Sequence, residues 1–507
     1  MMKKKRLVPA DLGSGAPGES GSFASDVVTL ASGTIVAQII AIVTSPIITR
    51  IYGAEAYGVS ALVLAIAATI AVIACLRYEY SILLPRTDEE AANLLALSLL
   101  ICLLMGLVLI PVMLLFGDDL ASLLNAPEIN PFLWVVPAMV FLLGSFSAIN
   151  YWNSRKREYG RLSRTQVATA VSTAGTKLAV GFAGYPSGGA LVGAQVIGQV
   201  VASSTLGYQA WRTDGPFLKR SVRWVGIKAG LHRYRNFPLF DSWSALLNTF
   251  ALEMPIFILS AFFTSTIVGY YSLGLMILQL PLTFVGSTIG QVFFQRSAKA
   301  LHEGKAQLAM VVENTVSRLV LWGFPLILLI AIIGKEAFMV VFGAQWAEAG
   351  VYAQILSFWI LVSFVYAPIS GLFSILDKLK IMLLLNIAMF VIRSGLLALG
   401  GVQGDVYLAL MLFSASGGLL LITVGGWILR ESGVSLLSLL RSISRPMSLG
   451  LLLLAAVALV EHFMNLDPLL ITLVGAAAIV PYYFIQFSRD EEIRSLVLRF
   501  LHKDGSG

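Results

Sequence analysis

Long apolar runs dominate the chain, and each is about as long as a helix must be to cross the roughly 30 Å hydrocarbon layer of a membrane. About fourteen such runs follow one another between residues 27 and 487. Only 12% of the residues are charged, against roughly 25% in soluble domains. The sequence therefore predicts an all-α polytopic membrane protein. The predicted spans are 27–49, 59–76, 91–116, 131–150, 166–185, 188–210, 239–263, 267–292, 312–334, 350–372, 380–400, 406–429, 447–463 and 467–487.

The basic residues predict how these spans are oriented, because loops rich in Lys and Arg stay on the cytoplasmic side. Of the 35 lysines and arginines, only Arg50 and Lys335 fall in predicted outer connections. Only Lys177, Arg318 and Arg393 fall inside spans. The rest lie in alternate connections and in the two tails, so both termini are predicted to be cytoplasmic. The net charge of +7 then reflects loops that face anionic lipid, and no nucleic-acid partner is expected.

The tails and the cysteines exclude several other classes of protein. The N-terminus begins MMKKKR and continues through a Gly/Ser/Pro-rich stretch, which predicts a disordered cytoplasmic tail over residues 1–26 and not a signal peptide. A second cytoplasmic tail is predicted over 488–507. The two cysteines, Cys75 and Cys102, both lie in apolar segments, so they form neither a disulfide framework nor a zinc site.

Two pairs of matching motifs indicate an internal repeat of six helices. YGVSAL at 57–62 matches VGYYSL at 268–273, and LLFG at 114–117 matches VVFG at 340–343. Because an even number of spans separates the copies, the two units lie the same way up in the membrane. The sequence therefore predicts two six-helix lobes, at 27–210 and 239–429, with two further helices in 430–487.

The connector between the lobes, residues 211–238, is the most basic interruption of the apolar chain. Lysines and arginines alternate there with aromatic and aliphatic residues, which is typical of a helix lying along a membrane surface. We expect an amphipathic helix with Trp224 and Ile227 in the membrane and the arginines on lipid headgroups.

Cations inside the predicted spans are the first candidate site residues, since a cation in hydrocarbon is costly unless it faces water or a partner. Lys177 lies near the centre of the fifth span, Arg393 lies well inside the eleventh, and Arg318 lies about two turns into the ninth. With Arg50, they predict a cavity that binds an anion. The alternative is a set of buried ion pairs, with Glu253, Asp241 or Glu313 as partners.

Other charged residues suggest a gate and a coupling site. Arg77 and Glu79 follow the second span, where they form either a solvated rim or a gate. Glu253 and Asp241, in or beside the seventh span, are candidates for coupling to a proton or a sodium ion. No phosphate-cradling glycine loop and no pair of nucleophile and base is found in the sequence, so we predict a protein that is not an enzyme and has no cofactor.

Several segments resemble the oligosaccharide flippases of the polysaccharide transporter family, which are related to multidrug extruders and lipid II flippases. The resemblance runs nearly from end to end and depends on the order and spacing of its motifs. They are IYG at 51–53, YG at 57–58, RYEYSILLP at 77–85, DEEA at 88–91, YRNFP at 234–238, VGYYSL at 268–273, QLP at 279–281, GQVFFQR at 290–296 and FGAQW at 342–346.

This resemblance implies a V-shaped, two-lobed transporter in a bacterial inner membrane. It would move an undecaprenyl-pyrophosphate-linked oligosaccharide to the outer leaflet by alternating access, for lipopolysaccharide O-antigen, capsule or exopolysaccharide. The expected partners are that substrate, membrane lipids, a polysaccharide polymerase and a chain-length regulator. Three alternatives stay open from the sequence: a cation-coupled drug extruder, a membrane-embedded glycan polymerase or ligase, and a lipid scaffold without transport. The sugar, the pathway, the driving ion and the oligomeric state are not predicted.

Overall fold

The computed structural model describes residues 19–282, 287–464 and 466–489, and nearly all of them are helical. No strand occurs in these ranges, which confirms the predicted all-α class. The helices of ten residues or more are α1 Glu19–Ile51, α2 Ala54–Ala71, α3 Asp88–Leu123, α4 Val136–Arg155, α5 Tyr159–Phe182, α6 Gly188–Ser221, α7 Trp224–Arg233, α8 Ser242–Phe262, α9 Ser265–Pro281, α10 Ser287–Glu303, α11 Lys305–Phe342, α12 Ala347–Ile369, α13 Leu379–Val402, α14 Val406–Glu431, α15 Leu436–Met464 and α16 Pro468–Arg489.

Within the described ranges, ten helices are long and apolar enough to cross a membrane, and eleven if the bent pair Pro127–Leu133 and Val136–Arg155 is counted as one span. The predicted count of fourteen is therefore not confirmed. The three predicted spans without such a helix are the fifth, eighth and thirteenth. The α5 helix carries three cations, α9 is only 17 residues long, and the apolar part of α15 is only Gly450–Glu461.

Local capping explains where several helices begin. The Thr87 hydroxyl accepts a hydrogen bond from the backbone N–H of Glu90 at 3.4 Å, and acidic residues fill the first turn of α3. The Asp405 carboxylate accepts bonds from the backbone N–H groups of Tyr407 and Leu408 at 2.9 and 3.1 Å at the start of α14. Such contacts satisfy N–H groups that have no partner within the helix. The negative charge of acidic side chains in the first turn also interacts favourably with the positive end of the helix dipole.

The helices pack as two groups. We call α1–α6 the N-lobe and α8–α14 the C-lobe, and α15 and α16 pack against α11. One large buried cluster belongs mainly to the N-lobe, and two further clusters belong mainly to the C-lobe. Across the lobes, α2 packs against α8 and α9, and α1 packs against α11. The exact domain boundaries stay a prediction.

The two repeat motifs meet where α2 crosses α9. A Cβ atom on Gly58 would lie 1.6 Å from the Ser265 carbonyl oxygen, and a Cβ atom on Gly269 would lie 1.9 Å from the Ala54 carbonyl oxygen. Only glycine permits such a close approach of two backbones. Gly58 and Gly269 occupy the same place in YGVSAL and VGYYSL, so the repeat-related glycines pack against each other in a reciprocal arrangement.

Two helices extend further than predicted, one into the N-terminal tail and one into the connector. The α1 helix begins at Glu19, so residues 19–26 of the predicted disordered tail are helical. Residues 1–18 and 490–507 lie outside the described residues. The α6 helix continues to Ser221, past the predicted span end at 210 and into the predicted connector, although Gly215 and Pro216 lie inside this extension.

The predicted connector helix is present as α7, but its orientation differs from the prediction. Ile227 packs against the N-lobe core, because Gly226 and Gly230 let α7 lie directly on Asn93 and Leu94 of α3. The expectation that Ile227 enters the membrane is therefore wrong. Trp224 is 60% exposed and stays available to a membrane surface.

Candidate functional site

Two seams join the lobes at opposite ends of α2, which is about 27 Å long at 1.5 Å per residue. We define the Thr49 seam as residues 49–58 packed against 263–269 and 340–346. We define the Arg77 seam as residues 77–80 packed against the π-helical turn Phe237–Asp241. The charge pattern of the loops predicts that the Thr49 seam faces outward and the Arg77 seam faces the cytoplasm.

The Arg77 seam is held by an ion pair. The Arg77 Nε donates to the Asp241 carboxylate at 2.8 Å, and the two side chains are 16% and 45% exposed. The guanidinium also lies 3.9 Å from the centroid of the Tyr80 ring. The backbone of Leu76 and Arg77 is left-handed, with φ of 47° and 63°, a conformation that costs L-residues roughly 1–2 kcal/mol each. This strained turn directs Arg77 towards the other lobe.

Glu79 lies beside this ion pair and is almost fully buried, with 4% of its surface exposed. Its Oε2 atom has no hydrogen-bond partner among the described residues. Burial raises the pKa of Glu79 from 4.5 to about 7; the positive charge of Arg77 lowers this pKa and the negative charge of Asp241 raises it. Near neutral pH, Glu79 therefore binds and releases a proton within reach of the charges that hold the Arg77 seam.

The centre of the Thr49 seam is built from hydrogen bonds that uncharged side chains donate to backbone carbonyls. The Thr49 hydroxyl donates to the Phe342 carbonyl at 3.2 Å. The indole N–H of Trp346, which is fully buried, donates to the Thr49 carbonyl at 2.7 Å, and the Gln345 amide donates to the same oxygen at 2.6 Å. Each bond joins the N-lobe to the C-lobe.

Further bonds between the lobes extend this seam. Arg50, a predicted binding residue, is exposed and donates from Nη2 to the Val340 carbonyl at 2.8 Å. The Asn125 amide donates to the Phe263 carbonyl at 3.0 Å. Together with the contact between Gly58 and Gly269, these bonds close this end of the molecule. The structure thus places Arg50 in a contact between lobes.

Lys177 lies beside the Thr49 seam. Its carbonyl accepts a hydrogen bond from the Tyr52 hydroxyl at 2.8 Å, and it precedes the end of α5 by five residues, or about 8 Å. The expected position near the middle of a span is therefore wrong, because α5 begins and ends earlier than predicted. No ion pair of the Lys177 side chain is found in the described part of the chain.

Arg393 is at mid-length of α13, inside the C-lobe. Its guanidinium carbon lies 4.0 Å from the Trp359 ring centroid and 3.9 Å from the Phe413 ring centroid. A Cβ atom on Gly417 would lie 2.8 Å from the Arg393 Nε, so the glycine makes room for the cation. Nε and Nη2 are buried without an acceptor among the described residues. The aromatic rings hold the charge by cation–π attraction, and the buried Nε and Nη2 have no anionic partner in the described ranges.

The predicted buried ion pairs are not found for Lys177 or Arg393 in the described ranges. Asp241 pairs with Arg77 instead, and Glu313 accepts a hydrogen bond from the Ser438 hydroxyl at 3.1 Å. Glu253 is half-buried in α8. No group of three His, Cys, Asp or Glu side chains that could hold a metal occurs in the same ranges. The coupling role of Glu253 and Asp241 stays a prediction.

Arg318 is exposed on α11. The structure thus separates the predicted binding cations: Arg50 and Lys177 lie at the Thr49 seam, Arg393 lies inside the C-lobe and Arg318 lies on the surface of α11. Arg77, Glu79 and Asp241 meet at the Arg77 seam. Their role as a gate stays a prediction.

Sequence reasoning missed two features of the site. The partner of Arg77 was not identified, because neither the left-handed turn at Leu76 and Arg77 nor the π-helical turn before α8 has a sequence signature. The contact between Gly58 and Gly269 was also missed. Here a signal existed, since the two glycines share one position of the repeat motif.

Comparisons with known proteins identify the family and the fold. The sequence model of a family described as "Polysaccharide biosynthesis protein" matches residues 47–351, more than half of the chain. The solved structure of the lipid II flippase MurJ in an inward closed conformation aligns over 91% of this chain and 99% of that chain, with a TM-score of 0.66 and 9% identity. At this identity the likeness shows the fold alone. No curated protein sequence matches this chain.

A second solved structure is less similar. A multidrug resistance transporter of the MATE family, in an inward-facing conformation, aligns over 80% of this chain and 98% of that chain. Its TM-score is 0.49 and its identity is 15%.

Proposed function

Because the chain belongs to the polysaccharide biosynthesis protein family, we propose that it is a flippase for a lipid-linked oligosaccharide. It would move an undecaprenyl-pyrophosphate-linked repeat unit across a bacterial inner membrane by alternating access, for a surface polysaccharide such as O-antigen or exopolysaccharide. Both termini would be cytoplasmic. The fold supports a transporter, since two lobes of membrane helices meet at two seams that lie at opposite ends of α2.

The observation that carries this proposal is a pair of cations that lack carboxylate partners in the described ranges, Lys177 in the N-lobe and Arg393 in the C-lobe. A cation among membrane helices is costly unless a partner or water stabilises it. Pyrophosphate is such a partner, because phosphate oxygens accept charge-assisted hydrogen bonds. Because the two cations lie apart on opposite lobes, each would bind the pyrophosphate at a different point of its path. By contrast, a site for cationic drugs would need an acidic or aromatic lining.

The remaining assignments follow from this function. Arg318 and Arg50 would contribute positive charge along the path of the pyrophosphate. Arg77 and Glu79 would form a gate, and Glu253 and Asp241 would couple transport to a proton or a sodium ion. The substrate could pass from glycosyltransferases to a polymerase and a chain-length regulator. No covalent chemistry is required of the chain.

The test is translocation in proteoliposomes of a lipid-linked oligosaccharide, with each leaflet assayed separately. The Lys177→Gln and Arg393→Gln variants should each lose about tenfold or more in rate, since a hydrogen bond to a charged group contributes roughly 1.5–3 kcal/mol. Lys228→Gln, on α7 outside the spans, is the matched control and should transport normally. Undiminished transport by both variants would contradict the assignment. Extrusion of a cationic dye without lipid transport would favour the drug extruder instead.

A further inference from the structure

The long helix α11 is interrupted at two places. Pro325 lies inside it and has no N–H group, so it cannot donate to the Leu321 carbonyl, which would be its acceptor in a continuous helix. Further along, the backbone of Ile333 leaves the helical region, with φ of −103° and ψ of 22°. We call residues 321–333 the α11 break. A carbonyl left open within a membrane helix needs another donor, because no water reaches it there.

Two neighbouring tyrosines of α16 supply donors at the α11 break. The Tyr482 hydroxyl donates to the Leu321 carbonyl at 2.9 Å, and the Tyr483 hydroxyl donates to the Trp322 carbonyl at 2.7 Å. The first of these carbonyls is the one that Pro325 leaves without a donor. Tyr482 is 1% exposed, so its hydroxyl is shielded from bulk water and its hydrogen bond is made inside the protein.

Packing holds the same two tyrosines in place. The Tyr483 and Trp322 rings stack, with centroids 5.5 Å apart and an angle of 14° between their planes. A Cβ atom on Gly450 of α15 would lie 3.6 Å from the Tyr482 ring, so α15 packs closely against this tyrosine. Because neighbouring helices enclose the rings, each hydroxyl stays directed towards α11.

The same pair of helices packs on the second interruption. Ile333 is buried in one cluster with Val457 of α15 and Ile471 of α16. A Cβ atom on Gly475 of α16 would lie 2.6 Å from the Ile333 side chain, so this glycine leaves the room that Ile333 occupies. Both ends of the α11 break are therefore in contact with α16.

The α11 break lies between the body of the C-lobe and the outer end of α11. That end carries the Phe342 and Val340 carbonyls, which accept hydrogen bonds from Thr49 and Arg50 across the Thr49 seam. Both carbonyls lie about 10 Å or more beyond Ile333 along the helix. A change of angle at the break would therefore move them away from their donors on the N-lobe.

We propose that α15 and α16 brace the α11 break, and that Tyr482 and Tyr483 are positioning residues that keep the outer end of α11 where the Thr49 seam can close. This inference goes beyond the proposed function, because it gives the two helices outside the lobes a role that does not depend on the substrate. The Tyr482 hydroxyl replaces the hydrogen bond that Pro325 cannot make. Its effect should therefore disappear when residue 325 regains an N–H group.

Spin labels on α11 test the brace directly, in a chain whose two native cysteines are replaced by Ala. Met310 and Lys335 are exposed on either side of the α11 break, and a straight helix would separate them by about 38 Å. Labels at Met310→Cys and Lys335→Cys should give one distance in the otherwise native chain. The double variant Tyr482→Phe/Tyr483→Phe should raise the population at other distances about fivefold, as expected for the loss of two hydrogen bonds between membrane helices.

The matched control is Tyr366→Phe. Tyr366 is half-buried in the C-lobe, and no hydrogen bond of its hydroxyl occurs within the described ranges. This variant should leave the distance between the two α11 labels unchanged. An unchanged distance in the double tyrosine variant, or an equal change in the control, would overturn the proposal.

Pro325→Ala separates hydrogen bonding from packing. It gives residue 325 an N–H group that can donate to the Leu321 carbonyl. Tyr482→Phe should therefore change the α11 distance in the native background, but not relative to Pro325→Ala alone. Because Phe keeps the ring, a role of packing alone would show no such dependence on residue 325. Equal effects of Tyr482→Phe in both backgrounds would overturn the proposal.

A second label pair, at Glu55→Cys and Lys335→Cys, shows whether the brace acts on the Thr49 seam. Both positions are exposed, the first on α2 and the second beyond the α11 break. The double tyrosine variant should broaden this distance as well, because the outer end of α11 is no longer held. If the α11 labels move and this pair does not, the brace does not position the seam and the proposal is overturned. All these distances are measured without substrate, so their outcome is separate from a failure of the proposed function.

Discussion

The two seams hold the same pair of lobes together by different physical means. At the Thr49 seam, backbones touch at Gly58 and Gly269, and neutral side chains donate to backbone carbonyls. At the Arg77 seam, a partly exposed ion pair joins Arg77 to Asp241, and Arg77 lies in a strained turn. Neutral hydrogen bonds and backbone packing depend little on salt, whereas an exposed ion pair contributes roughly 0–1 kcal/mol and is screened by salt. The Arg77 seam is therefore the weaker seam and should open first.

The difference between the two seams can be measured with two pairs of spin labels, after Cys75 and Cys102 are both replaced by Ala. The Thr49 label pair is Glu55→Cys with Thr264→Cys, and the Arg77 label pair is Leu83→Cys with Leu239→Cys. All four labelled positions are exposed. Each pair has one label on the N-lobe side of its seam and the other label on the opposite side, so the distance distribution reports whether that seam is closed.

The largest effect is expected from a side chain at the backbone crossing. Gly58→Ala places a Cβ atom 1.6 Å from the Ser265 carbonyl oxygen, and overpacking of this kind costs roughly 1–3 kcal/mol. The Thr49 seam should then fail to close, and the Thr49 label pair should move apart by several ångström. The control is Gly53→Ala, because a Cβ atom on Gly53 would meet nothing within 4 Å. An unchanged distance for Gly58→Ala would show that the crossing does not determine closure.

A smaller effect is expected from the ion pair. Arg77→Asp should open the Arg77 seam, since it places two carboxylates opposite each other, and Asp241→Arg should do the same with two cations. The double variant restores opposite charges and should close the seam again. A coupling of about 1 kcal/mol, or roughly fivefold in the closed population, is expected for a partly exposed pair. Additive effects, without rescue, would mean that Arg77 and Asp241 do not hold this seam together.

The smallest effect is expected from pH. Burial raises the pKa of Glu79 from 4.5 to about 7, so between these pH values the folded chain retains a proton on Glu79 that the unfolded chain has lost. The stability that the folded chain gains from binding this proton is fully present below about pH 4.5 and is lost as the pH rises through about 7. Once ionised, Glu79 attracts Arg77 and repels Asp241, which weakens their pair. The distances of the Arg77 label pair should therefore broaden above about pH 7, while the Thr49 label pair stays unchanged.

Two variants test the role of Glu79. Glu79→Gln cannot ionise, so the Arg77 label pair should stay closed and lose its dependence on pH. Glu89→Gln is the control, because Glu89 is an exposed acidic residue on the adjoining helix α3. If Glu79→Gln keeps the full pH dependence, another group is responsible for it.

The sequence predicts the part of this structure that depends on composition and periodicity. Apolar runs predict the all-helical class, and the resemblance to polysaccharide flippases is confirmed at the level of the family. Lys177 and Arg393 were selected because hydrocarbon makes any charge within a predicted span conspicuous, and their binding role stays a prediction. The helical class and the charges within predicted spans depend only on residues that are close together along the chain, so they can be predicted from the sequence.

The sequence does not predict contacts that depend on local backbone geometry. The left-handed turn at Arg77 and the π-helical turn before α8 bring Arg77 to Asp241, and neither has a sequence signature. Ile227 fits the pattern of a membrane-surface helix, yet it packs on α3, since Gly226 and Gly230 permit a closer approach. Lys177 lies nearer the end of its helix than predicted, because the ends of α5 could not be fixed from hydropathy.

The most direct test of the difference between the seams is to record both label pairs in reconstituted protein while the salt concentration is raised. Increasing the ionic strength from about 0.1 M to about 1 M shortens the Debye length from about 10 Å to about 3 Å. Because salt screens the ion pair, the Arg77 label pair should move to longer distances while the Thr49 label pair keeps a single short distance. Opening of the Thr49 seam first, or of both seams together, would show that the ion pair does not make the Arg77 seam the weaker one.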